Sequence, residues 1–131
     1  MPDNSAEPIW LSAVQVEAIN RSAINDGERH TVLSKDLLES AVARPRNLYL
    51  YEDERDLVTL GVRLLVAIGK NHCFEQGNKR TASQACGIFL ERNDVILDLA
   101  YIEENAKVIE AAIVTNEGPD ALISLFRKLA Y

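Results

Sequence analysis

The sequence has few of the residues that build cross-links, turns and sheets. Its 131 residues include two cysteines, four prolines and six glycines, and aromatic residues make up 6%. Cys73 and Cys86 form no closely spaced pair, so we expect neither a disulfide framework nor a zinc site, but reduced thiols as in a cytosolic protein. Aliphatic residues dominate the 47% apolar fraction, which favours helices packed on helices.

The chain also lacks a surplus of positive charge. Its formal net charge is -6 and its pI is about 4.9, which argues against a general nucleic-acid-binding protein but leaves room for a local cationic pocket. No apolar run approaches the roughly 18 residues of a membrane span, and the first residues do not resemble a secretory signal. We therefore expect a cytoplasmic protein without a direct nucleic-acid or membrane partner.

The length favours one domain over residues 1–131, with residues 1–8 as a loose N-terminal tail. Ser12 and Gln15 have the spacing of a capping box, and Ser34 is placed as another N-cap. The helix that follows Ser34 is expected to end before Pro45. Periodic apolar residues predict helices at 12–25, from Ser34 to just before Pro45, at 54–70, 79–92 and 102–115, and from Gly118 onward.

Two short segments are predicted to be extended. Residues 47–51 alternate apolar and aromatic side chains, which is typical of a short strand or an extended flap. Residues 95–97 are apolar and follow a turn. The helix at 54–70 is apolar around much of its circumference, which indicates the centre of a bundle.

The loop between the helices at 54–70 and 79–92 contains the candidate catalytic and phosphate-binding residues. His72 is a candidate general base. Gly77 can turn backbone amides inward at the start of a helix, where anions bind readily. Asn78 can cap that helix or bind a phosphate oxygen, and Lys79 and Arg80 suit phosphate.

Each of these residues also has an ordinary structural interpretation. A lone histidine after a buried helix is more often structural or exposed than catalytic, and a Gly-Asn-Lys-Arg run is often a solvated helix start. The spacing is not that of a P-loop. We interpret Cys73 as a bystander thiol, because no second histidine is placed to activate it, and His30 as an ordinary surface histidine.

The order of residues narrows these alternatives. His72-x-Phe74-x-x-Gly77-Asn78-Lys79-Arg80 resembles the motif of the Fic/Doc family, His-x-Phe-x-Asp/Glu-Gly/Ala-Asn-Gly/Lys-Arg. The resemblance covers most of the chain, from about residue 12 onward. The small size, the segment 37–45 and the Thr81-Ala82 continuation resemble the Doc branch, the toxins of plasmid and phage addiction modules.

The resemblance implies an all-α Fic fold, a helical bundle with a short extended flap before the central helix. It implies ATP and Mg²⁺ as cofactors, His72 as general base toward a protein hydroxyl, and a phosphate site formed by Gly77, Asn78, Lys79 and Arg80. The flap, with Leu48, Tyr49 and Leu50, would dock the target by strand addition.

Lys79 and Ser83 distinguish between two reactions. Relatives that transfer AMP usually carry glycine and a second arginine at these positions, so the resemblance implies γ-phosphoryl transfer instead, with a threonine of elongation factor Tu as the target and arrest of translation as the result. No self-inhibitory Ser/Thr-x-x-x-Glu-Gly/Asn string is found, so an active toxin would need a separate antitoxin as its partner.

Gln76 departs from the motif, since the family has a metal-binding acid there. A glutamine oxygen is a weaker Mg²⁺ ligand because it brings no charge. Two alternatives therefore stay open, transfer of AMP or another nucleotide piece and a catalytically weakened binding protein.

Overall fold

A computed structural model describes residues 6–97 and 105–131. These ranges contain six helices and no strands, so the predicted all-α class is confirmed. The helices are α1 (Ala13–Ala23), α2 (Lys35–Glu52), α3 (Leu57–Asn71), α4 (Asn78–Arg92), α5 (Ala106–Val114) and α6 (Gly118–Leu129).

The predicted N-caps of the first two helices are confirmed. Gln15 N donates to Ser12 Oγ at 3.2 Å, and Ser12 N donates to Gln15 Oε1 at 2.8 Å. This reciprocal pair is a capping box. Leu37 N donates to Ser34 Oγ at 3.1 Å, which starts α2 in the same way.

The predicted end of α2 before Pro45 is wrong. The helix continues to Glu52, with Pro45 inside it. Its buried face explains why, because Leu38, Ala41, Pro45 and Leu48 recur at intervals of three and four residues. Burial of this face offsets the hydrogen bond that proline cannot donate to Ala41.

The predicted flap is therefore also wrong. Leu48, Tyr49 and Leu50 are helical, so their backbone groups bond within α2 and cannot pair with a target strand. Tyr49 packs against Trp10 with ring centroids 5.6 Å apart, and Arg55 lies over the Tyr49 ring. Alternation over five residues was too short to distinguish a strand from a helix with one buried side.

The fold is centred on α3, as its apolar circumference predicted. Leu60, Val62, Leu65 and Ile68 have no exposed surface, and α3 packs against α2, α4, α5 and α6. The motif runs from the C-terminal end of α3 into the N-terminal end of α4. These two helices pack side by side in the core.

Two isolated β-bridges join parts of the described chain that are distant in sequence. Val32 forms an isolated bridge with Phe74, and Leu97 forms one with Ala130, so the predicted extended piece at 95–97 meets the chain's last residues. Residues 1–5 of the predicted tail lie outside the described residues, as do residues 102–104 of the helix predicted at 102–115. Glu7, within that tail, accepts a hydrogen bond from Trp10 Nε1 at 2.5 Å.

Within the described ranges, none of the helices combines the length and the apolar character that crossing a bilayer requires.

A substitution of Gly118 at the start of α6 is expected to destabilise the fold strongly. A Cβ at Gly118 would lie 2.1 Å from the Ala111 carbonyl oxygen, which is backbone and cannot rotate away. We expect Gly118→Ala to lower the free energy of unfolding by about 3 kcal/mol or more, the upper end for overpacking. Gly61→Ala is the matched control, because its Cβ would meet only side-chain atoms at 3.2 Å or beyond. Urea unfolding measures both, and equal losses would contradict the prediction.

Candidate active site

A groove of about 590 Å³ lies between the motif and α5. The motif from His72 to Arg80 forms one side, except for the buried Cys73 and Phe74, and Gly69, Ile113 and Val114 complete the wall. The structure thus brings together all the predicted site residues of the motif. The predicted docking residues at 48–50 do not line this groove.

His72 lies at the C-terminal end of α3, in a left-handed conformation with φ of 47°. This conformation ends the helix and turns the chain into the motif loop, residues 72–77. The side chain is exposed and has no hydrogen-bond partner among the described residues. An imidazole free on both nitrogens can accept a proton from a bound hydroxyl.

Asn78 fixes the shape of the motif loop. Its Oδ1 accepts from Phe74 N at 3.1 Å, and its Nδ2 donates to Phe74 O at 2.8 Å. Phe74 is itself buried with 1% exposure, so the loop is pinned to the core. Asn78 was predicted to cap α4 or to bind phosphate. It neither caps the helix nor leaves its amide wholly free.

Gly77 is the N-cap of α4, with φ of 78° and no side-chain cap. A Cβ there would meet Ile24 Cγ2 at 3.0 Å and Asn20 Nδ2 at 3.3 Å, so a larger residue would be crowded in addition to being strained by the positive φ. Without a side-chain cap, the first N–H groups of α4 remain available to an anion at the positive end of the helix dipole.

Both motif cations are paired with carboxylates from outside the motif. Lys79 Nζ lies 2.6 Å from Glu110 Oε1 on α5. Arg80 Nη2 lies 2.5 Å from Glu28 Oε1, while Arg80 Nε is buried without a hydrogen-bond partner among the described residues. Arg80 therefore holds one arm in an ion pair and keeps one unpaired donor, Nε, which the protein encloses.

The two carboxylates are held in their charged forms. The Asn25 backbone N–H and then Arg80 lower the pKa of Glu28. The hydrogen bond from Lys79 lowers the pKa of Glu110. At neutral pH the motif cations are thus largely neutralised by the protein itself.

Gln76 links the motif loop to the chain before it. Its Oε1 accepts from Arg29 N at 2.6 Å, which leaves one lone pair on the oxygen that would bind Mg²⁺. Among residues 6–97 and 105–131, no group of three or more His, Cys, Asp and Glu side chains could hold a metal ion.

An extended segment, residues 28–33, lies against the motif loop, and we call it the strap. Glu75 N donates to Thr31 O at 2.9 Å, and Leu33 N donates to Cys73 O at 2.8 Å. The Arg29–Gln76 contact extends this pairing to the C-terminal end of the loop, and the Glu28–Arg80 contact extends it to the first turn of α4. The extended element next to the site is therefore the strap, which the sequence pattern did not reveal.

His30 was predicted to be a surface histidine, and this is wrong. It is half-buried, its Nδ1 lies 2.7 Å from Asn20 Oδ1, and its ring contacts Phe74. Asn20 is fully buried on the face of α1 that also carries Val16. A polar residue one turn from Val16 on an apolar face was the signal that could have found it.

A family model described as the Fic/DOC family matches residues 10–90. The chain belongs to the Fic/Doc family. The protein "Protein kinase doc" of Escherichia phage P1 is 37% identical over 57 residues, 44% of this chain and 45% of that protein. "Toxin Doc" of Mycolicibacterium smegmatis is 29% identical over 102 residues, 77% of this chain and 78% of that protein. These relatives support the Doc branch, and the first match spans less than half of its relative's length.

Neither cysteine of this Fic/Doc chain is placed for catalysis. Burial raises the pKa of the Cys73 thiol and raises the pKa of Cys86 to about 12. Both thiols therefore stay protonated and poorly nucleophilic at neutral pH. This agrees with the interpretation of Cys73 as a bystander.

The paired cations predict that removing a competing carboxylate strengthens anion binding. Glu28→Gln and Glu110→Gln should each raise the affinity for tripolyphosphate by a factor of about 1.5 to 5, since exposed ion pairs contribute about 0.2–1 kcal/mol. Because the pKa of Glu28 is lowered from 4.5, its pair with Arg80 is complete above that pH and is lost as the pH falls below it. The gain from Glu28→Gln should disappear in the same range.

Isothermal titration calorimetry measures these affinities. Glu39→Gln is the matched control, since it removes the same charge from an exposed position on α2 without an ion-pair partner among the described residues. If Glu39→Gln raised the affinity as much as the other two variants, the effect would be one of net charge and the prediction would be wrong.

Proposed function

We propose that this protein is a Doc-type toxin of a toxin–antitoxin module and that it transfers the γ-phosphoryl group of ATP to a hydroxyl of a translation factor. The observation that carries the proposal is the unpaired, exposed His72 at a groove that also contains the N-terminal end of α4, Lys79 and Arg80. The family membership and the printed names of the two relatives support it. The expected target is a threonine of elongation factor Tu, and the expected location is the cytoplasm.

The proposed step is an in-line displacement at phosphorus. The target hydroxyl oxygen attacks the γ-phosphorus while His72 takes the hydroxyl proton. The bond from this phosphorus to the β–γ bridging oxygen breaks, and ADP leaves with that oxygen. The products are the phosphorylated hydroxyl, ADP and a protonated His72, which returns its proton to water. Positioning and charge neutralisation provide most of the catalysis in such reactions.

The remaining motif residues act on the phosphates. On release from Glu28, the Arg80 guanidinium turns toward the groove and presents Nε and Nη2 together as a fork for a phosphate. Lys79 supplies a second charge, and the free N–H groups after Gly77 supply neutral donors. Mg²⁺ enters as the salt of ATP, because the described side chains do not form a site that would retain it.

The target has to approach His72 by a route other than residues 48–50. We propose that an extended target segment lies along the strap, whose residues 31–33 are the extended backbone next to the motif loop. A cognate antitoxin would then restrain the toxin by covering this entrance.

His72→Ala tests the assigned base. The purified protein is incubated with bacterial lysate, ATP and Mg²⁺, and modified proteins are identified by intact mass. We expect a phosphoryl group on a translation factor, and a loss of about a hundredfold to ten-thousandfold in rate for His72→Ala, the usual contribution of general base catalysis. Equal modification by the variant would contradict the role of His72. An AMP-sized addition would favour nucleotidyl transfer instead.

Gln76 distinguishes an active enzyme from a weakened binding protein. Because Gln76 Oε1 accepts from Arg29 N, a glutamate can keep this bond and an alanine cannot. We expect Gln76→Glu to retain the wild-type rate within about tenfold at saturating Mg²⁺, and Gln76→Ala to lose up to about a hundredfold through displacement of the loop.

The same mass assay with a Mg²⁺ titration measures both variants. If wild type is inactive and Gln76→Glu restores transfer, the glutamine has disabled the site and the chain functions by binding. If neither wild type nor variant modifies any protein, the phosphoryl-transfer proposal fails.

A further inference from the structure

Asn20 links three elements around the motif loop. Its Nδ2 donates to Gln76 O at 2.9 Å and to Thr81 Oγ1 at 3.0 Å. Its side chain has no exposed surface. A carbonyl oxygen only accepts hydrogen bonds, so the contact with Gln76 fixes which end of the amide is the NH₂ group.

This orientation determines the protonation of His30. Asn20 Oδ1 is an acceptor and lies 2.7 Å from His30 Nδ1, so Nδ1 carries the hydrogen. In the neutral ring Nε2 is then an acceptor, and Arg21 Nη2, which can only donate, lies 3.2 Å from it. The donors therefore run in one direction, from Arg21 to His30, from His30 to Asn20, and from Asn20 to the motif loop and α4.

We propose that His30 is a positioning residue of the active site, whose neutral Nδ1–H form orients Asn20 and thereby fixes the Gln76 carbonyl and the first turn of α4. The Gln76 carbonyl before Gly77 and the Thr81 hydroxyl in the first turn of α4 are both bonded to this one amide. His30 touches no substrate in this proposal and acts only through Asn20. This inference rests on the proposed function only for its predicted effect on the reaction rate.

The Nε2–H tautomer would break the arrangement. Its bare Nδ1 would place a lone pair against Asn20 Oδ1, and its Nε2–H would face the Arg21 guanidinium, which can only donate. The two contacts of the ring therefore select the Nδ1–H tautomer.

The two-histidine composition of the chain allows a direct test. In His72→Ala, the only imidazole left is His30, and long-range ¹H–¹⁵N NMR reads its tautomer. We expect the Nδ1–H form at neutral pH. Adding His30→Leu should shift the backbone amide signals of Gly77 and Thr81, because Asn20 then loses the donor that orients it. An Nε2–H ring, or amide signals that do not respond to His30→Leu, would overturn the proposal.

Two substitutions at His30 test the effect on rate with His72 intact. His30→Asn places an amide donor near the position of Nδ1, and His30→Leu provides no donor. We expect His30→Leu to lower kcat by up to about a hundredfold, the effect of a misplaced loop. His30→Asn should keep most of kcat, because it can still donate to Asn20.

A kcat for His30→Asn as low as that of His30→Leu would contradict the proposal, since the proposed role needs only a donor to Asn20. The NMR and rate measurements distinguish the two proposals. If no variant modifies any protein, the proposed function fails, and the NMR measurement still decides the role of His30.

Discussion

The motif loop depends on three side-chain amides for its shape. It lies between two helices, and the described contacts show its backbone bonded to the strap and to side chains. Asn78 holds Phe74 at both its N–H and its carbonyl, and Asn20 holds the Gln76 carbonyl. Gln76 in turn holds the backbone of Arg29. Amides suit this task because each offers a donor and an acceptor without a charge to desolvate.

How far the sequence could predict the site follows from these bonds. His72 to Arg80 are contiguous, so two helix boundaries and the loop's glycine bring them together, and the sequence pattern showed all of this. The partners that hold the loop are distant, since Asn20 is 56 residues before Gln76 and Glu28 is 52 before Arg80. No local periodicity encodes such pairs. Only a misplaced polar residue, such as Asn20 on an apolar face, marks them.

The error at Pro45 has a related cause. Local sequence rules predicted that the helix ends before Pro45 and that the alternating residues after it are extended. The buried spacing across Pro45 decided the outcome instead, because a helix face packed against α3 outweighs one missing hydrogen bond. The fold class was predictable from composition and period. The site's surroundings were not, since the true extended segment carries no strand pattern.

Charge placement sets what the site can bind. Each motif cation already has a carboxylate partner, so a singly charged anion would gain little by displacing one of them. In the proposed function, a polyphosphate replaces both pairs at once and also uses the amides after Gly77. Gln76 suits the same ligand, because an amide there keeps the link to the strap without adding a third negative charge beside the phosphates. On this proposal the site selects for dense negative charge, although the whole chain is acidic.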